Sequence, residues 1–281
     1  MKQTAGGADL HLHTVYSDGT YTPQSLVTRA KEFSLCAIAV TDHDTVDGIR
    51  PVREAAGKGL EVVAGCEFSV ECGEAELHML GLFLDPANKE LREALAIYRG
   101  RREKRIYAIL EKLNKLGITV LPEDVFRFAG KGTPGRLHVA LAMISRGYVR
   151  DITSAFGRYL GNARPACVRK ERPSPAKTFE IIRTAGGVSV WAHPGLTNRD
   201  DLLPELVKAG LQGIEAYSCS HSKPQERNYL RIAREMNLFV SGGSDCHGLN
   251  KDKLLIGAVR LADKKLEELR AASRRAATKD K

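Results

Sequence analysis

Short apolar runs typical of buried strands alternate with helix-like segments along most of this 281-residue chain. Several helix-like segments open with a capping residue followed by proline, as at Thr22-Pro23 and Ser174-Pro175, where proline suits the first turn. Repeated βα units predict a parallel sheet covered by helices, and the six or seven strands found here are enough to close a barrel. The chemistry of such barrels lies at the C-terminal ends of the strands, so polar residues there are the first candidates for a functional site.

The alternation is interrupted between residues 88 and 172, where the sequence is mainly helical in character. This segment opens with five basic residues within seven positions: Arg99, Arg101, Arg102, Lys104 and Arg105. We therefore expect an inserted helical cap domain at residues 88–172, with the barrel domain formed by residues 1–87 and 173–281. The fold class expected is α/β.

Composition limits the compartment and the kind of partner. No apolar run approaches the ~20 residues that span a bilayer, and residues 1–8 contain no apolar secretion signal. The six cysteines form no C-x-x-C pair, so we expect reduced thiols rather than a zinc ribbon. The net charge of +9 suits a polyanionic partner. We expect a cytoplasmic protein that binds no membrane and has no obligate protein partner.

Polar residues follow the first predicted strand at a spacing suited to metal binding. His11 and His13 are two positions apart, so their side chains project from the same face of a strand, as two ligands of one ion must. The turn Ser17-Asp18-Gly19 follows and can direct the Asp18 carboxylate to the same place. A lone His-x-His pair is weak evidence by itself, because most such pairs bind no metal.

Further polar positions end or interrupt the other apolar runs. They are His43 between Asp42 and Asp44, then Glu67, His78, His193, and Asp245 with His247. Taken singly, each has a structural explanation: an aspartate can cap a helix, and a lone histidine in an apolar run is more often a hydrogen-bonded core residue. Together, six of the eight histidines recur at the same point of the pattern, which separate structural roles do not explain.

This combination of residue types indicates a metal site. Neutral imidazoles together with carboxylates suit Zn, Mn, Fe or Ni better than Ca or Mg alone. Nine such residues exceed the needs of one ion and are enough for two or three, with a carboxylate as a bridge. Sites with two metal ions clamp the attacking and leaving oxygens of a phosphoryl group, so hydrolysis of phosphate esters is the expected chemistry.

The motifs also resemble those of a known family, in the same order along the chain. They are D-L-H-L-H with S-D-G (Asp9 to Gly19), T-D-H-D-T (Thr41 to Thr45), G-C-E (Gly65 to Glu67), His78, A-H-P-G (Ala192 to Gly195) and G-S-D-C-H (Gly243 to His247). Over residues 8–257 the sequence is similar to the polymerase and histidinol phosphatase (PHP) family. The resemblance implies a distorted seven-stranded βα barrel that holds two or three divalent ions, with Mn expected first and Zn, Fe or Mg as other choices.

The resemblance also implies a ligand set. The nine expected ligands form three groups: His11, His13, Glu67 and Asp245; Glu67, His78 and His193; and Asp18, His43 and His247. Glu67 would bridge the first two groups. The candidate catalytic side chains are Asp44 and His221, with His221 a possible proton donor to the leaving group. Asp9, Asp42 and Asp44 are expected to orient ligand imidazoles.

The helical insertion resembles one branch of the family. That branch contains phosphatases acting on nucleotides, including 3′,5′-bisphosphates, and 5′→3′ exonucleases of short RNA. The matching positions, expected to bind substrate, are Arg102, Arg105, Arg136, His138 and Lys170. A guanidinium group binds two phosphate oxygens at once, so these arginines would hold a second phosphate beside the scissile one. A solvated helix face is the other explanation for any single arginine of the run.

Three alternatives to a nucleotide phosphoesterase remain. Histidinol-phosphate phosphatase belongs to the same family, although its small cationic substrate gains nothing from a basic cap. A non-catalytic metal-binding module is disfavoured by the intact set of nine ligands. A hydrolase of C–N bonds with a related barrel usually carries a metal-bridging lysine, and no predicted strand ends in a lysine here.

Overall fold

The computed structural model describes residues 6–130, 132–169, 171–248 and 255–279, the last four of these as backbone only. Lys170, one of the predicted substrate ligands, lies outside these ranges. Seven strands form one sheet in sequence order: β1 (Ala8–Leu12), β2 (Ala37–Val40), β3 (Glu61–Cys72), β4 (Ala75–Leu82), β5 (Val188–Trp191), β6 (Gly213–Ser218) and β7 (Phe239–Gly243). The predicted seven-stranded barrel is confirmed.

The barrel nearly closes where β7 meets β1. Leu12 and Cys246 form a parallel bridge, and the His13 amide donates a hydrogen bond of 3.0 Å to the Cys246 carbonyl. A side chain at Gly243 would place its Cβ 2.4 Å from the Cβ of His11, so only glycine allows this approach. The closure therefore brings the chain after β7 directly beside the histidines of β1.

The sheet is not fully parallel, which corrects the expectation from repeated βα units. Strand β4 is antiparallel to both β3 and β5, whereas the other neighbouring pairs are parallel. Only Gly73 and Glu74 separate β3 from β4, and Gly73 has a φ of +58°. Two residues suffice for a hairpin but not for the crossover that a parallel pair requires.

Helices of the barrel occupy the segments between the strands and at the end of the chain: α1 (Pro23–Glu32), α2 (Ile49–Ala56), α7 (Pro175–Thr184), α8 (Leu203–Ala209), α9 (Lys223–Glu235) and α10 (Asp263–Lys279). The hydroxyls of Thr22 and Ser174 accept hydrogen bonds from the amides of Ser25 and Lys177, which confirms both predicted helix starts. Within the described ranges, no helix combines the length and apolar character needed to cross a bilayer.

The inserted segment is helical, as predicted, and has its own hydrophobic core. Its helices are α3 (Lys89–Lys115), α4 (Pro122–Ala129), α5 (Arg136–Ser145) and α6 (Ile152–Ala155), which continues into a π-helical turn at Phe156–Leu160. The first half of α3 packs on the barrel core through Leu91 and Leu95, and its second half enters the cap core through Ile109 and Leu113. The start of α3 therefore belongs to the barrel core, and the division at residues 88 and 172 stays a prediction.

Candidate metal centre

Glu67 lies at the centre of a ring of imidazoles at the mouth of the barrel, and its side chain is buried. Its Oε2 atom is near three ring nitrogens: His11 Nε2 at 3.3 Å, His13 Nε2 at 3.1 Å and His43 Nδ1 at 3.2 Å. Its Oε1 atom is near two more: His78 Nδ1 at 2.9 Å and His193 Nε2 at 3.1 Å. One carboxylate therefore contacts five histidines.

The strands of the barrel explain how these distant residues meet. His11 lies in β1 and His13 directly follows it, and both project from the same face. His43, His193 and Asp245 lie within three residues of the ends of β2, β5 and β7. Glu67 and His78 lie instead within β3 and β4, where Ser69 pairs with His78. The β3–β4 hairpin thus brings a bridging carboxylate and an imidazole to the centre from one side.

Three overlapping groups of these side chains could each hold a divalent ion. They are His11, His13, Glu67 and Asp245; Glu67, His78 and His193; and His13, Asp18, His43 and His247. Within each group, the ligand atoms lie within 4.8 Å of one another. All nine predicted ligands are brought together, and His13 contributes to a second group in addition to the predicted sharing of Glu67. The assignment of an ion to each group stays a prediction.

Unsatisfied atoms in the centre show that these residues fit metal ions. His11 Nε2, His13 Nε2, His43 Nδ1 and Glu67 Oε2 are buried and form no hydrogen bond. Such atoms are rare in folded proteins because each loses its hydration without gaining a partner. Ions bound at about 2.0–2.2 Å from nitrogen and carboxylate ligands would satisfy them.

The electrostatics of the centre favour forms that bind cations. Burial alone would raise the pKa of Glu67, but the imidazoles of His43 and His78 hold it well below its ordinary value. Burial lowers the pKa of His43 to about 3. His13 differs, because Asp245 and Glu67 outweigh burial and raise its pKa to about 10. The surrounding imidazoles therefore favour the ionised form of the Glu67 carboxylate, which is the form that binds a cation.

Three residues of the centre adopt a left-handed backbone conformation. The φ angles are +51° at Asp44, +30° at His193 and +53° at Asp245. This region is sparsely populated by residues other than glycine, although aspartate and histidine tolerate it better than most. Such conformations cluster at functional sites, where the surrounding structure holds them in place.

Glu215 of β6 is a member of the centre that the motif analysis missed. It is fully buried, its carboxylate oxygens lie 3.3 and 3.4 Å from His11 Nδ1, and the His193 amide donates to it at 2.6 Å. Carboxylates that accept from the outer nitrogen of a ligand histidine fix its tautomer and orientation. The available signal was a single acid inside the apolar run Gly213–Ser218, since a buried glutamate almost always has a partner.

Replacing Glu215 with glutamine is expected to weaken metal binding or turnover by about 10–100-fold. The neutral amide lacks the negative charge that stabilises the Nδ1–H of His11, and its nitrogen cannot accept a hydrogen bond, so His11 is held less firmly in one tautomer. Metal titration by calorimetry measures the effect. The matched control is Glu235→Gln on the exposed side of α9, and equal affinities for the two variants would contradict the assignment.

Asp9 and Asp42 accept hydrogen bonds from backbone amides and hydroxyls around the centre, and their role in orienting the ligand imidazoles stays a prediction. Asp9 accepts hydrogen bonds from the amides of Ser244 and Gly257, which ties β1 to the chain after β7. Asp42 accepts from the amide and hydroxyl of Thr14 and from the Ser17 hydroxyl. It reaches His13 only through Ser17, whose oxygen lies 3.4 Å from Nδ1.

A cavity of about 210 Å³ opens between this centre and the cap. Its lining includes the metal-ligand candidates Asp18, His43 and His78 on the barrel side, and Arg102, Arg105, Arg136 and His138 on the cap side. The cap is held to the mouth by Thr133, whose amide donates to the Tyr16 carbonyl and whose hydroxyl donates to the His43 carbonyl. Four of the five predicted substrate residues therefore face the same space as the metal ligands.

Arg102 is paired with Asp44 inside this region. Its Nε and Nη2 atoms lie 2.8 and 2.6 Å from Asp44 Oδ2, and the two side chains are only 12% and 3% exposed. Asp44 also accepts from the Ser69 amide at 3.4 Å. This contact explains why the sequence places an aspartate after His43: it fixes a cap arginine at the barrel mouth.

The other cap residues are partly held by neighbouring groups. Arg105 Nε donates to the Val168 carbonyl, and Arg136 Nη1 donates to the Leu160 carbonyl and to Asn162. Burial and the nearby guanidinium of Arg136 lower the pKa of Arg105 to about 10. His138 accepts from the Gly135 amide at the start of α5. Concentrated positive charge of this kind favours a bound anion.

His221 lies beside the loop that carries His193. Its Nδ1 donates to the Ala216 carbonyl at 3.0 Å, and its Nε2 accepts from the Gly195 amide at 3.1 Å. A Cβ at Gly195 would lie 2.7 Å from the His221 ring, so glycine is needed there. For His221 to donate a proton to the leaving group, as predicted, one of these two hydrogen bonds has to open.

A barrel whose mouth carries three groups of imidazoles and carboxylates, next to partly buried arginines, has the parts of a metal-dependent hydrolase of phosphate esters. Residues 9–131 match the model of the PHP domain. The chain is 34% identical over 248 residues to the 5′-3′ exoribonuclease Rnm of Escherichia coli, which covers 85% of this chain and 84% of the relative. The chain therefore belongs to the PHP-domain family of metal-dependent phosphoesterases.

Two further comparisons agree with this family. The chain is 32% identical over 246 residues to the 3′,5′-nucleoside bisphosphate phosphatase of Chromobacterium violaceum, covering 85% of this chain and 86% of the relative. A crystal structure from Bifidobacterium adolescentis, classed provisionally as a metal-dependent phosphoesterase, superposes with a TM-score of 0.87 and 31% identity. That superposition covers 96% of this chain and 98% of the other, so the cap is included in the likeness.

Proposed function

We propose that this phosphoesterase hydrolyses phosphate from nucleotides, as 3′,5′-bisphosphates or 5′-monophosphates, or acts on short 5′-phosphorylated RNA. The observation that carries the proposal is the cavity in which three cap arginines face the metal-ligand groups. One phosphate at the ligand groups and a second at the arginines would use both walls of that cavity. The relatives named as an exoribonuclease and a bisphosphate phosphatase support the same substrate class.

The nine histidines and carboxylates would hold two or three divalent ions in the three groups described above. When bound, such ions supply Lewis-acid stabilisation of the charge that develops on the phosphoryl oxygens. We propose Mn as the resident metal, with Zn, Fe or Mg as the other candidates. All six cysteines are free thiols, which supports a cytoplasmic location.

The side chains of the protein itself would bind and orient the substrate. Arg102, fixed by Asp44, and Arg136 each present a guanidinium group to the cavity, where a non-scissile phosphate can accept two hydrogen bonds from one fork. Partial burial strengthens these contacts, because a less polar environment screens charge weakly. Asp44 thereby takes part in catalysis by positioning an arginine, and His221 remains the candidate donor to the leaving group.

Histidinol phosphate is the competing substrate within the family. It carries one phosphate and a cationic group, so it would leave the arginine wall unused and would meet repulsion from it. The same wall argues against the C–N hydrolase alternative. If the protein only bound metal ions, the arginines that line the cavity beside the metal-ligand groups would have no role.

Product release from the Mn²⁺-loaded protein tests the proposal, measured as inorganic phosphate for the small compounds and as free mononucleotide for the RNA. The panel is 3′-phosphoadenosine 5′-phosphate, AMP, a 5′-phosphorylated RNA pentamer and histidinol phosphate. We expect the highest kcat/KM for the first or the third compound. Preference for histidinol phosphate would overturn the substrate assignment and keep the metal centre, and full metal occupancy with no turnover of any compound would indicate a binding module.

A further inference from the structure

We infer that a basic groove on the outside of the cap binds the sugar–phosphate backbone of a longer single-stranded RNA, downstream of its 5′ end. The groove has a volume of about 540 Å³ and lies between α3 and the segment around Val168 and Arg169. The inference rests on the proposed function and deepens it, because it makes oligonucleotides, rather than mononucleotides, the substrates for which this surface is suited.

One face of α3 forms the floor of the groove. The residues of this face recur at helical spacing: Ile97, Gly100, Arg101, Lys104, Arg105 and Ala108. With Arg169, which also pairs with Glu71 outside the groove, the lining carries four cations against one carboxylate, that of Glu171. Arg101 Nε lies 3.6 Å from Glu171, but both side chains are exposed, so this pair is weak and a phosphate group can replace the carboxylate.

Arg105 joins the groove to the active-site cavity. It lines both spaces, and its hydrogen bond to the Val168 carbonyl holds it between them. A chain of nucleotides that starts at the metal centre therefore meets a continuous row of cations as it leaves over α3. Along that helix, Arg101 lies about 6 Å from Arg105, at 1.5 Å per residue.

Gly100 is an independent sign of a ligand at this place. Glycine in a helix interior costs about 0.5–1 kcal/mol relative to alanine, and nothing within 4 Å of a Cβ at this position requires its absence. Packing within the chain thus gives no reason for glycine in the middle of α3. A glycine at such a position lets another molecule approach the backbone closely, as a sugar–phosphate chain in the groove would.

Two variants test the groove without touching the catalytic cavity. Arg101→Gln with Lys104→Gln removes two charges, and Gly100→Gln fills the floor while favouring the helix. The matched control, Lys89→Gln with Lys115→Gln, removes two exposed charges from the same helix outside the groove. Fluorescence anisotropy measures the binding of a 5′-phosphorylated decaribonucleotide and of a dinucleotide to the metal-free, full-length protein, over a range of salt concentrations.

We expect both groove variants to bind the decanucleotide about 10-fold more weakly and the dinucleotide unchanged, with the control pair close to wild type. Loss of two phosphate contacts should also make the slope of the logarithm of the association constant against the logarithm of salt concentration less negative by about 1.4 in the charge variant. Equal weakening by the control pair, or unchanged binding in both groove variants, would overturn the inference. Equally tight binding of a polyglutamate decamer would reassign the groove to acidic peptides and overturn it too.

The failure of this inference is distinguishable from failure of the proposed function. If the wild-type enzyme hydrolyses 3′-phosphoadenosine 5′-phosphate but the groove variants bind the decanucleotide as tightly as wild type, the proposed function stands and the role of the groove is wrong. If the wild-type enzyme prefers histidinol phosphate, the proposed function is wrong. If it also binds the decanucleotide weakly, the role of the groove is wrong as well.

Discussion

Replacing Glu67 with glutamine is expected to lower kcat/KM for every phosphoester by at least about 10³-fold while leaving the barrel folded. Its two oxygens contact five imidazoles and belong to two of the three ligand groups, so one substitution weakens two ion sites at once. Glutamine keeps the shape of the side chain but offers no negative charge to a cation. Phosphate release and metal content by mass spectrometry together measure the effect.

The matched control for this prediction lies on the same strand. Glu61→Gln at the start of β3 removes an equal charge, but Glu61 pairs with Arg270 away from the mouth. We expect this control to keep full activity and metal content. If the Glu67 variant retained wild-type metal content and turnover with an unchanged circular dichroism spectrum, the bridging role would be wrong.

Replacing Arg102 with methionine is expected to reduce the free energy of unfolding by about 3–5 kcal/mol, because it leaves the Asp44 carboxylate buried without its charge partner. The same variant should raise KM for 3′-phosphoadenosine 5′-phosphate, since a phosphate-binding guanidinium is lost. Urea unfolding of the metal-free protein measures the first effect, and phosphate release measures the second.

A double variant separates these two effects. Adding Asp44→Asn to Arg102→Met removes the buried carboxylate charge that Arg102 no longer balances, so most of the lost stability should return. The KM defect should persist, because the guanidinium is still missing. Recovery of both stability and KM would show that Arg102 serves the fold and does not bind substrate.

The sequence was sufficient to predict that these histidines and carboxylates meet at one place, because their constraint is local. A strand fixes the direction of every second side chain, so the spacing of His11 and His13 already placed them on one side. The ends of buried strands meet at one mouth of a barrel, which gathered His43, His193 and Asp245. These residues were predictable without knowing how the helices pack.

The parts that the sequence did not reveal depend on contacts between distant segments. The direction of β4 depends on a two-residue turn, and the apolar pattern of a buried strand is the same for either direction. The pairing of Asp44 with Arg102 joins the barrel to the cap across 58 positions. Glu215 carried a signal, but a single acid in an apolar run does not say which imidazole it supports.

Helix α3 runs unbroken from the barrel core into the cap core over 27 residues. Because both ends of this helix are packed in a core, its rotation about its own axis determines which of its side chains face the metal centre. Inserting one residue near position 97 would turn everything beyond it by about 100° and shift it by about 1.5 Å, taking Arg102 away from Asp44. An insertion of seven residues is close to two full turns, so it would nearly restore the orientation of the side chains. It would also move the cap away from the barrel mouth by about 10 Å along the helix. Homologous enzymes with roomier or tighter pockets are therefore expected to differ in this helix by near-integral turns, and protein engineers can use the same increments to alter the size of the accepted substrate.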